Sequence, residues 1–429
     1  MRDILLAFFL LTAFPVVLYR YQVGALLIAF MSFMYPQSNA FGFATSIPWL
    51  DIYFVFAIGG YFLKQGYKDY QHHVLITMML LIYLWVTLTT IFAFIPLYAI
   101  EPWIKVTKII TIALLVYAML GTQTRLIALL KIMVISFGFY GVKGGIFTII
   151  SGGGAHVLGP INSFFADNNG TALVLVMVIP FMVYFVIHAE NIYQRYFSLF
   201  CALTTSVAVL GTQSRTGFAA LILVLGYYMW LQKKLFRALM ILVPIACVAV
   251  FFMPDSWSNR MASTADYQTD ASFQGRVDMW KVSLSIANDY PIFGGGFNVI
   301  YVPEIDVQYI PVEVTARAIH SAYFQMIAEH GYGGLLIFLT MLYYVFAASR
   351  RMTRQCKLAP HMTWLPDLTI AIRCSVAGYM VMAFMNNIAF FDLIYFVMVI
   401  MAIADNLLQK EIVQKKFSLK DKEQIAVAA

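Results

Sequence analysis

Charged side chains are scarce in this sequence of 429 residues, where only 11% of the residues are charged and 62% are hydrophobic. A soluble domain carries about 25% charged residues, so the composition excludes a water-soluble globule of this length. The apolar residues fall in runs of roughly 15 to 25, the length that a helix needs to cross a hydrocarbon layer about 30 Å thick. We therefore predict an all-α polytopic membrane protein, with membrane lipids among its partners and no nucleic-acid partner.

Cysteine is also scarce, and all four residues lie in predicted helices or in a basic loop that we assign to the cytoplasm: Cys201, Cys247, Cys356 and Cys374. None can bridge an exported loop, so no disulfide framework is expected. No small-residue cleavage site follows the first apolar run at 4–19. We therefore treat that run as part of the mature protein rather than as a secretory signal.

Basic residues are confined to alternate connections between the apolar runs. The connections rich in Lys and Arg are 64–73, 122–131, 190–195, 232–237, 350–357 and the tail from 410. The positive-inside bias places them in the cytoplasm, and the other connections from residue 37 onward then face outward. Residues 1–36 fit either two short passes or one broken pass. We predict about 12 transmembrane helices, divided into helices at 1–254, a periplasmic cap loop at 255–318, helices at 319–408 and a cytoplasmic tail at 409–429.

The cap loop is too long to be a simple turn. It holds eight acidic against four basic residues, a net charge of −4 in a chain of net charge +7. Apolar residues at three-to-four spacing predict an amphipathic helix over 273–287. Its predicted apolar face is Phe273, Val277, Trp280, Leu284 and Ala287. The three glycines at 294–296 are interpreted as a flexible segment, since nothing places them as a phosphate loop.

Basic side chains on the outward face run against the topological bias, so each needs an acidic partner or an anionic ligand. Arg215 lies in a tight outward turn, Gly-Thr-Gln-Ser-Arg-Thr-Gly at 211–217, which contains no acid. Its alternative role is to snorkel to lipid headgroups. Arg276 lies in Gly-Arg-Val-Asp-Met-Trp at 275–280, where Asp278 or Asp289 could instead neutralise it.

Three polar positions near the ends of predicted spans are further candidates. His320 begins the span after the cap, where a base with a pKa near neutrality would meet a lipid-borne substrate; the alternative is an ordinary interfacial histidine. Lys143 is predicted in the outer third of its helix, where an ionisable group is a functional candidate or snorkels. Asp167-Asn168-Asn169 opens the next span, and we favour a helix cap there.

Three stretches together resemble a known family. Ser-Arg-Thr-Gly in the outward turn, Gly-Arg followed by Trp in the cap, and His320-Ser with Gly331 beyond it are similar to the O-antigen ligase and Wzy-type polymerase superfamily. The likeness covers roughly 130–405. The opening stretch of the chain and residues 143–169 look most like a branch of O-glycosylation ligases associated with exosortase systems. It implies a bacterial inner-membrane enzyme of the GT-C type, which moves a glycan from undecaprenyl diphosphate to a periplasmic acceptor.

The resemblance also implies a role for each candidate residue. His320 corresponds to the family's essential histidine and would accept the proton of the acceptor hydroxyl. Arg215 and Arg276 correspond to the two diphosphate-binding arginines, which would stabilise the charge growing on the leaving phosphate. A single displacement would invert the anomeric carbon. Secondary candidates for the same site are Lys143, Arg317, Asn168 and Gln213.

No metal or other cofactor is expected, because the two arginines would supply the positive charge, and Glu304-Ile305-Asp306 is interpreted as a solvated acidic loop. For the acceptor we favour the lipid A-core of lipopolysaccharide. The alternatives are a second glycan, which would make the enzyme an O-antigen or exopolysaccharide polymerase, or a protein hydroxyl, which would make it a protein O-oligosaccharyltransferase. A lipid-linked glycan transporter would instead place its charges at mid-membrane in two related halves.

Overall fold

The computed structural model describes residues 2–40, 42–233, 271–310 and 317–428, and within these ranges it is all-helical without a strand. The predicted all-α class is thus confirmed for the described residues. Their α-helices are α1 (Arg2–Tyr19), α2 (Tyr21–Met34), α3 (Trp49–Leu63), α4 (Val74–Ile91), α5 (Pro96–Met119), α6 (Gln123–Ile150), α7 (Asn168–Ile187), α8 (Ile192–Gly211), α9 (Arg215–Leu231), α10 (Ala271–Asp289), α11 (Pro303–Tyr309), α12 (Ala322–Gln355), α13 (Trp364–Ala383) and α14 (Asp392–Ala428). The span predicted at 236–254 and the boundary after residue 254 lie outside the described residues.

Seven of the described helices are long and apolar enough to cross a membrane, namely α1, α4, α6, α7, α12, α13 and the apolar part of α14, Asp392–Phe417. The helices α2, α3 and α9 are apolar but shorter, with 14, 15 and 17 residues. These lengths support the polytopic membrane class, and the count of about 12 crossings stays a prediction. Residues 2–34 form two helices that meet at Arg20, and α14 continues as one helix through the predicted tail.

The centre of the bundle is formed by helices that are apolar on all sides. In α7 every residue from Gly170 to Met182 is buried, as expected of a helix surrounded by other helices. Its neighbour α6 reaches α8 through glycines, since a Cβ atom on Gly145 would lie 2.0 Å from the carbonyl oxygen of Thr204. Small residues allow such close approach of helix backbones in membranes.

The helix α12 is interrupted about two turns before its midpoint by Gly331, which adopts φ 66° and ψ −176°. The three glycines at 294–296 lie against this kink: the N–H groups of Gly295 and Gly296 donate to the carbonyl oxygens of Ala328 and Glu329, both at 2.9 Å. A break in a helix frees backbone groups that need new partners. The glycine segment supplies them, so the interpretation as a flexible segment was wrong.

Substitution of Gly331 by alanine is expected to lower the stability of the protein by about 1–3 kcal/mol, because its backbone region is open almost only to glycine. A Cβ atom there would also lie 2.3 Å from the carbonyl oxygen of Ile292. The measurement is the thermal unfolding midpoint in detergent. Gly59→Ala in α3 is the matched control, since nothing lies within 4 Å of a Cβ atom at that site; equal midpoints for both variants would contradict the prediction.

The predicted cap helix is confirmed as α10, although its apolar face is rotated from the prediction. Met279, Val282 and Ile286 are at most 4% exposed and pack in a small core with other cap residues, whereas Leu284 is 41% exposed. Leu284 was therefore wrongly assigned to the buried face, because the cap covers α10 from a side that the apolar spacing did not distinguish. The indole N–H of Trp280 donates to the carbonyl oxygen of Ile319 at 3.0 Å, which ties α10 to the start of α12.

Candidate active site

A polar cavity of about 730 Å³ opens beside the start of α12. It is enclosed by the end of α2, the first half of α5, the loop before α7, the cap residues Phe297 and Asn298, and the connection from α13 to α14. His320 is part of its wall. Cavities with a few convergent polar groups are the usual location of ligand sites, and we call this one the His320 cavity.

The backbone of His320 is held in an unusual conformation directly before α12. It has φ 53°, which lies in the left-handed region that non-glycine residues rarely adopt. Its two neighbours are fixed: the carbonyl oxygen of Ile319 accepts from Trp280, and the N–H of Ser321 donates to Oδ1 of Asn387 at 3.1 Å. Such conformations persist where the surroundings over-determine them and cluster at functional sites.

The charges around His320 set its protonation. Burial lowers the pKa of its imidazole below 6.5, the guanidinium groups of Arg276 and Arg317 lower it further, and the carboxylate of Asp167 raises it. The net direction is downward, so His320 is neutral near pH 7 and able to accept a proton.

Arg317 can approach the start of α10, next to Arg276, because Gly275 has no side chain there. The guanidinium of Arg317 packs against Gly275 of α10, where an added Cβ atom would lie 2.1 Å from Nη1. The next residue along α10 is Arg276, whose Nη1 lies 3.7 Å from Sδ of Met385. The structure thus brings one predicted arginine and one secondary candidate to neighbouring positions at the start of α10, and both charges lower the pKa of the predicted histidine.

Arg215 is the first residue of α9, in the turn that the sequence singled out. The hydroxyl of Ser214 caps this helix and donates to Oδ1 of Asn169 at 2.7 Å, and Asn169 lies in the cavity wall. Two secondary candidates hold the same turn. Gln213 is buried and donates through Nε2 to the carbonyl oxygen of Gly153, and Asn168 donates through Nδ2 to the carbonyl oxygen of Thr212. Their contacts position Arg215.

The structure supports the predicted helix cap at Asp167. Its Oδ1 accepts from the N–H groups of Asn169 and Gly170, at 2.8 and 3.0 Å, so the carboxylate caps α7. Asp167 also lies in the wall of the His320 cavity. One side chain therefore both ends the loop before α7 and acts on the imidazole of His320.

Lys143 does not join the other candidates. It lies in a separate apolar groove of about 650 Å³ between α6, α7 and the start of α8. The glycines on either side of it, Gly141 and Gly144, face α8, so Lys143 is directed away from that contact and is exposed. Its predicted role in the site therefore lacks geometric support.

Sequence reasoning missed the acidic and amide side chains of the cavity wall. These include Gln37, Gln325, Glu329, Asn387 and Asp392. The signal was present, because Glu329 and Asp392 are acids within or beside apolar runs, and such residues are functional candidates. Among the described residues, no group of three or more metal-ligating side chains occurs; metal independence itself stays a prediction.

These features define a class, that of a polytopic, all-helical membrane protein whose polar cavity has in its wall a histidine under the influence of two arginines. Residues 200–339 match the family model described as O-Antigen ligase, and this part of the chain, from α8 into α12, carries the O-antigen ligase domain of the superfamily recognised in the sequence. It contains Arg215, Arg276, Arg317 and His320. Residues 1–190 match a family of unknown function (DUF5935). No protein of curated function matches the chain. The domain supports a glycosyltransferase of the ligase or polymerase type.

Proposed function

We propose that this protein is a GT-C-type glycosyltransferase of the bacterial inner membrane that moves a glycan from undecaprenyl diphosphate to a periplasmic hydroxyl. The acceptor that we favour is the lipid A-core of lipopolysaccharide. The observation that carries the proposal is the position of His320, which has Arg276 and Arg317 close by and a polar cavity beside it. A diphosphate and a sugar are joined at one atom, and this arrangement offers adjacent places for both.

The proposed reaction is a single displacement at the anomeric carbon. A bond forms between the acceptor oxygen and that carbon while the bond to the phosphate oxygen breaks, and undecaprenyl diphosphate leaves. Negative charge grows on the phosphate as the bond breaks, so guanidinium groups aimed at it stabilise the transition state more than the ground state. The acceptor proton passes to His320, and the displacement inverts the anomeric carbon.

The acid limb of the pH–rate profile is expected to report the pKa of His320, since only the neutral imidazole accepts a proton. Arg317→Gln removes a positive charge that disfavours the imidazolium, so the pKa of His320 rises and the limb moves to higher pH. Asp167→Asn removes a negative charge, so the pKa falls and the limb moves to lower pH, while asparagine can still cap α7. The measurement is the single-turnover rate against pH.

Opposite shifts in the two variants are the expected outcome. A limb that stays in place in both, or moves in the same direction in both, would contradict the assignment of His320 as the proton acceptor.

Transfer with purified protein tests the proposed function directly. The donor is a defined undecaprenyl-diphosphate oligosaccharide, offered in separate reactions with lipid A-core, a second lipid-linked glycan and a serine-containing protein. We expect transfer to lipid A-core that is unchanged by excess EDTA. Transfer to one of the other acceptors would assign polymerase or protein O-oligosaccharyltransferase activity, and activity restored by Mg²⁺ after chelation would contradict the arginine mechanism.

Labelling of a single cysteine at position 281 from outside intact cells tests the periplasmic location.

A further inference from the structure

The side chain of Trp280 connects the cap helix α10 to the residues that precede α12. Its indole N–H donates to the carbonyl oxygen of Ile319 at 3.0 Å. The indole is stacked on the ring of Phe324 in α12, with the centroids 5.0 Å apart and the planes at 6°, and the ring of Phe384, which follows α13, packs edge-on against it at 5.4 Å. Aromatic rings in contact prefer such defined geometries, so these neighbours fix the direction in which the indole N–H points.

The backbone of His320 is held by a side chain on each side. The carbonyl oxygen of Ile319 belongs to the peptide group before His320, and the N–H of Ser321 belongs to the peptide group after it. Trp280 donates to the first, and Oδ1 of Asn387 accepts from the second at 3.1 Å. The orientations of two planar peptide groups define φ and ψ of the residue between them. Trp280 and Asn387 therefore hold His320 at φ 53°, in the left-handed region that a residue with a Cβ atom otherwise avoids.

The helix that carries Trp280 also carries Arg276, the predicted diphosphate-binding residue of the cap. The two residues are four positions apart in α10, so they are neighbours on one face of that helix. The segment 384–387 contacts both: Nη1 of Arg276 lies 3.7 Å from Sδ of Met385, and the preceding phenylalanine packs against Trp280. The same segment supplies Asn387. One helix thus carries both a positive charge for the diphosphate and an anchor for the predicted base.

We infer that Trp280 and Asn387 are positioning residues, which fix the backbone of His320 and thereby the direction of its imidazole relative to Arg276. The inference rests on the proposed function, which gives His320 and Arg276 their roles. Such precision matters to a transfer reaction, since a misplacement of about 1 Å can lower a rate by about 10²-fold. Because α10 carries both Arg276 and Trp280, a donor diphosphate bound at the arginine meets the imidazole at a fixed place.

The thermal unfolding midpoint in detergent tests the two backbone contacts without any turnover. Glycine adopts a positive φ without the steric cost that alanine has, so His320→Gly is expected to unfold about 2 °C above His320→Ala. Trp280→Phe keeps an aromatic ring and removes the indole N–H. When this substitution is added to each variant, the difference between glycine and alanine at position 320 should fall to about 1 °C, because one of the two contacts that hold the left-handed conformation is lost.

Substitutions at two further positions complete this experiment. Asn387→Leu removes the acceptor for the N–H of Ser321 and should reduce the glycine–alanine difference as Trp280→Phe does, whereas Asn387→Asp keeps an acceptor oxygen and should preserve the difference. Trp230→Phe is the matched control, because Trp230 is 59% exposed and stacks on Tyr227 within α9; it should leave the difference unchanged. Equal midpoints for His320→Gly and His320→Ala, or a difference that Trp280→Phe does not reduce, would overturn the inference.

Transfer rates test the consequence for the chemistry. Trp280→Phe is expected to lower the single-turnover rate at saturating donor about tenfold, while titration of a lipid diphosphate gives binding within about twofold of the wild type, because Arg276 remains. In the His320→Ala background the same substitution should cause no further loss, since no imidazole is left to position. An equal loss in both backgrounds would mean that Trp280 has only a general role in the structure, and would overturn the inference.

The two levels of the proposal fail in different ways. If Trp280→Phe reduces the glycine–alanine difference but the wild-type protein transfers no glycan from a lipid diphosphate, the proposed function is wrong and the two contacts that fix His320 stand. If transfer depends on His320 while Trp280→Phe leaves both the midpoint difference and the rate unchanged, the positioning inference is wrong and the proposed function stands.

Discussion

Replacement of His320 by alanine is expected to lower the single-turnover transfer rate by about 10²–10⁴-fold, the usual contribution of a positioned general base. Binding of the lipid-diphosphate donor should be retained, because Arg276 and Arg317 remain. Burial and the two guanidinium groups lower the pKa of the imidazole, so the wild-type histidine is neutral near pH 7 and can accept the acceptor proton throughout the physiological range.

The control for this variant is His361→Ala. His361 is exposed and pairs with Glu411 at 3.2 Å, away from the cavity, so its removal should leave transfer unchanged. The measurements are titration of a lipid diphosphate for donor binding and a single-turnover assay for the rate. A rate near that of the wild type in His320→Ala would show that the base lies elsewhere.

The candidate residues were predicted from the sequence because they depart from an expected pattern. Arg215 and Arg276 are basic residues in connections that the positive-inside bias predicts to face outward, and His320 stands where the predicted cap meets the predicted span. The cap helix itself was predictable, because its apolar spacing is a local property of the chain. Its buried face was not, since the burial of Met279 and the exposure of Leu284 depend on distant cap residues.

The remaining parts of the site depend on contacts between segments far apart in the chain. The N–H groups of Gly295 and Gly296 satisfy carbonyl oxygens more than thirty residues away in α12, and nothing local in a run of three glycines indicates that partner. Arg317 similarly reaches the site because Gly275 leaves room for it. Glu329 was visible as an acid inside an apolar run, yet only the cavity shows that it belongs with His320.

Removal of the Arg276 guanidinium is expected to weaken both donor binding and turnover, with a loss of about 2–4 kcal/mol in transition-state stabilisation. The phosphate gains charge as the glycosidic bond breaks, so the loss should be larger in the single-turnover rate than in donor binding. Arg215→Ala is expected to act in the same direction, because the turn that carries it is tied to the cavity wall through Ser214 and Asn169.

Lysine at position 276 should restore part of the lost rate, because an ammonium supplies the charge but cannot donate to two phosphate oxygens with the planar geometry of a guanidinium. Lys281→Ala is the matched control on the same helix: Lys281 is exposed and pairs with Asp278 at 3.4 Å, so its loss should leave donor binding and rate unchanged. The order of rates expected is therefore wild type and Lys281→Ala, then Arg276→Lys, then Arg276→Ala. If Arg276→Ala bound donor and turned over like Lys281→Ala, the positive charge of α10 would have no part in the reaction, and the diphosphate would have to bind on another side of His320.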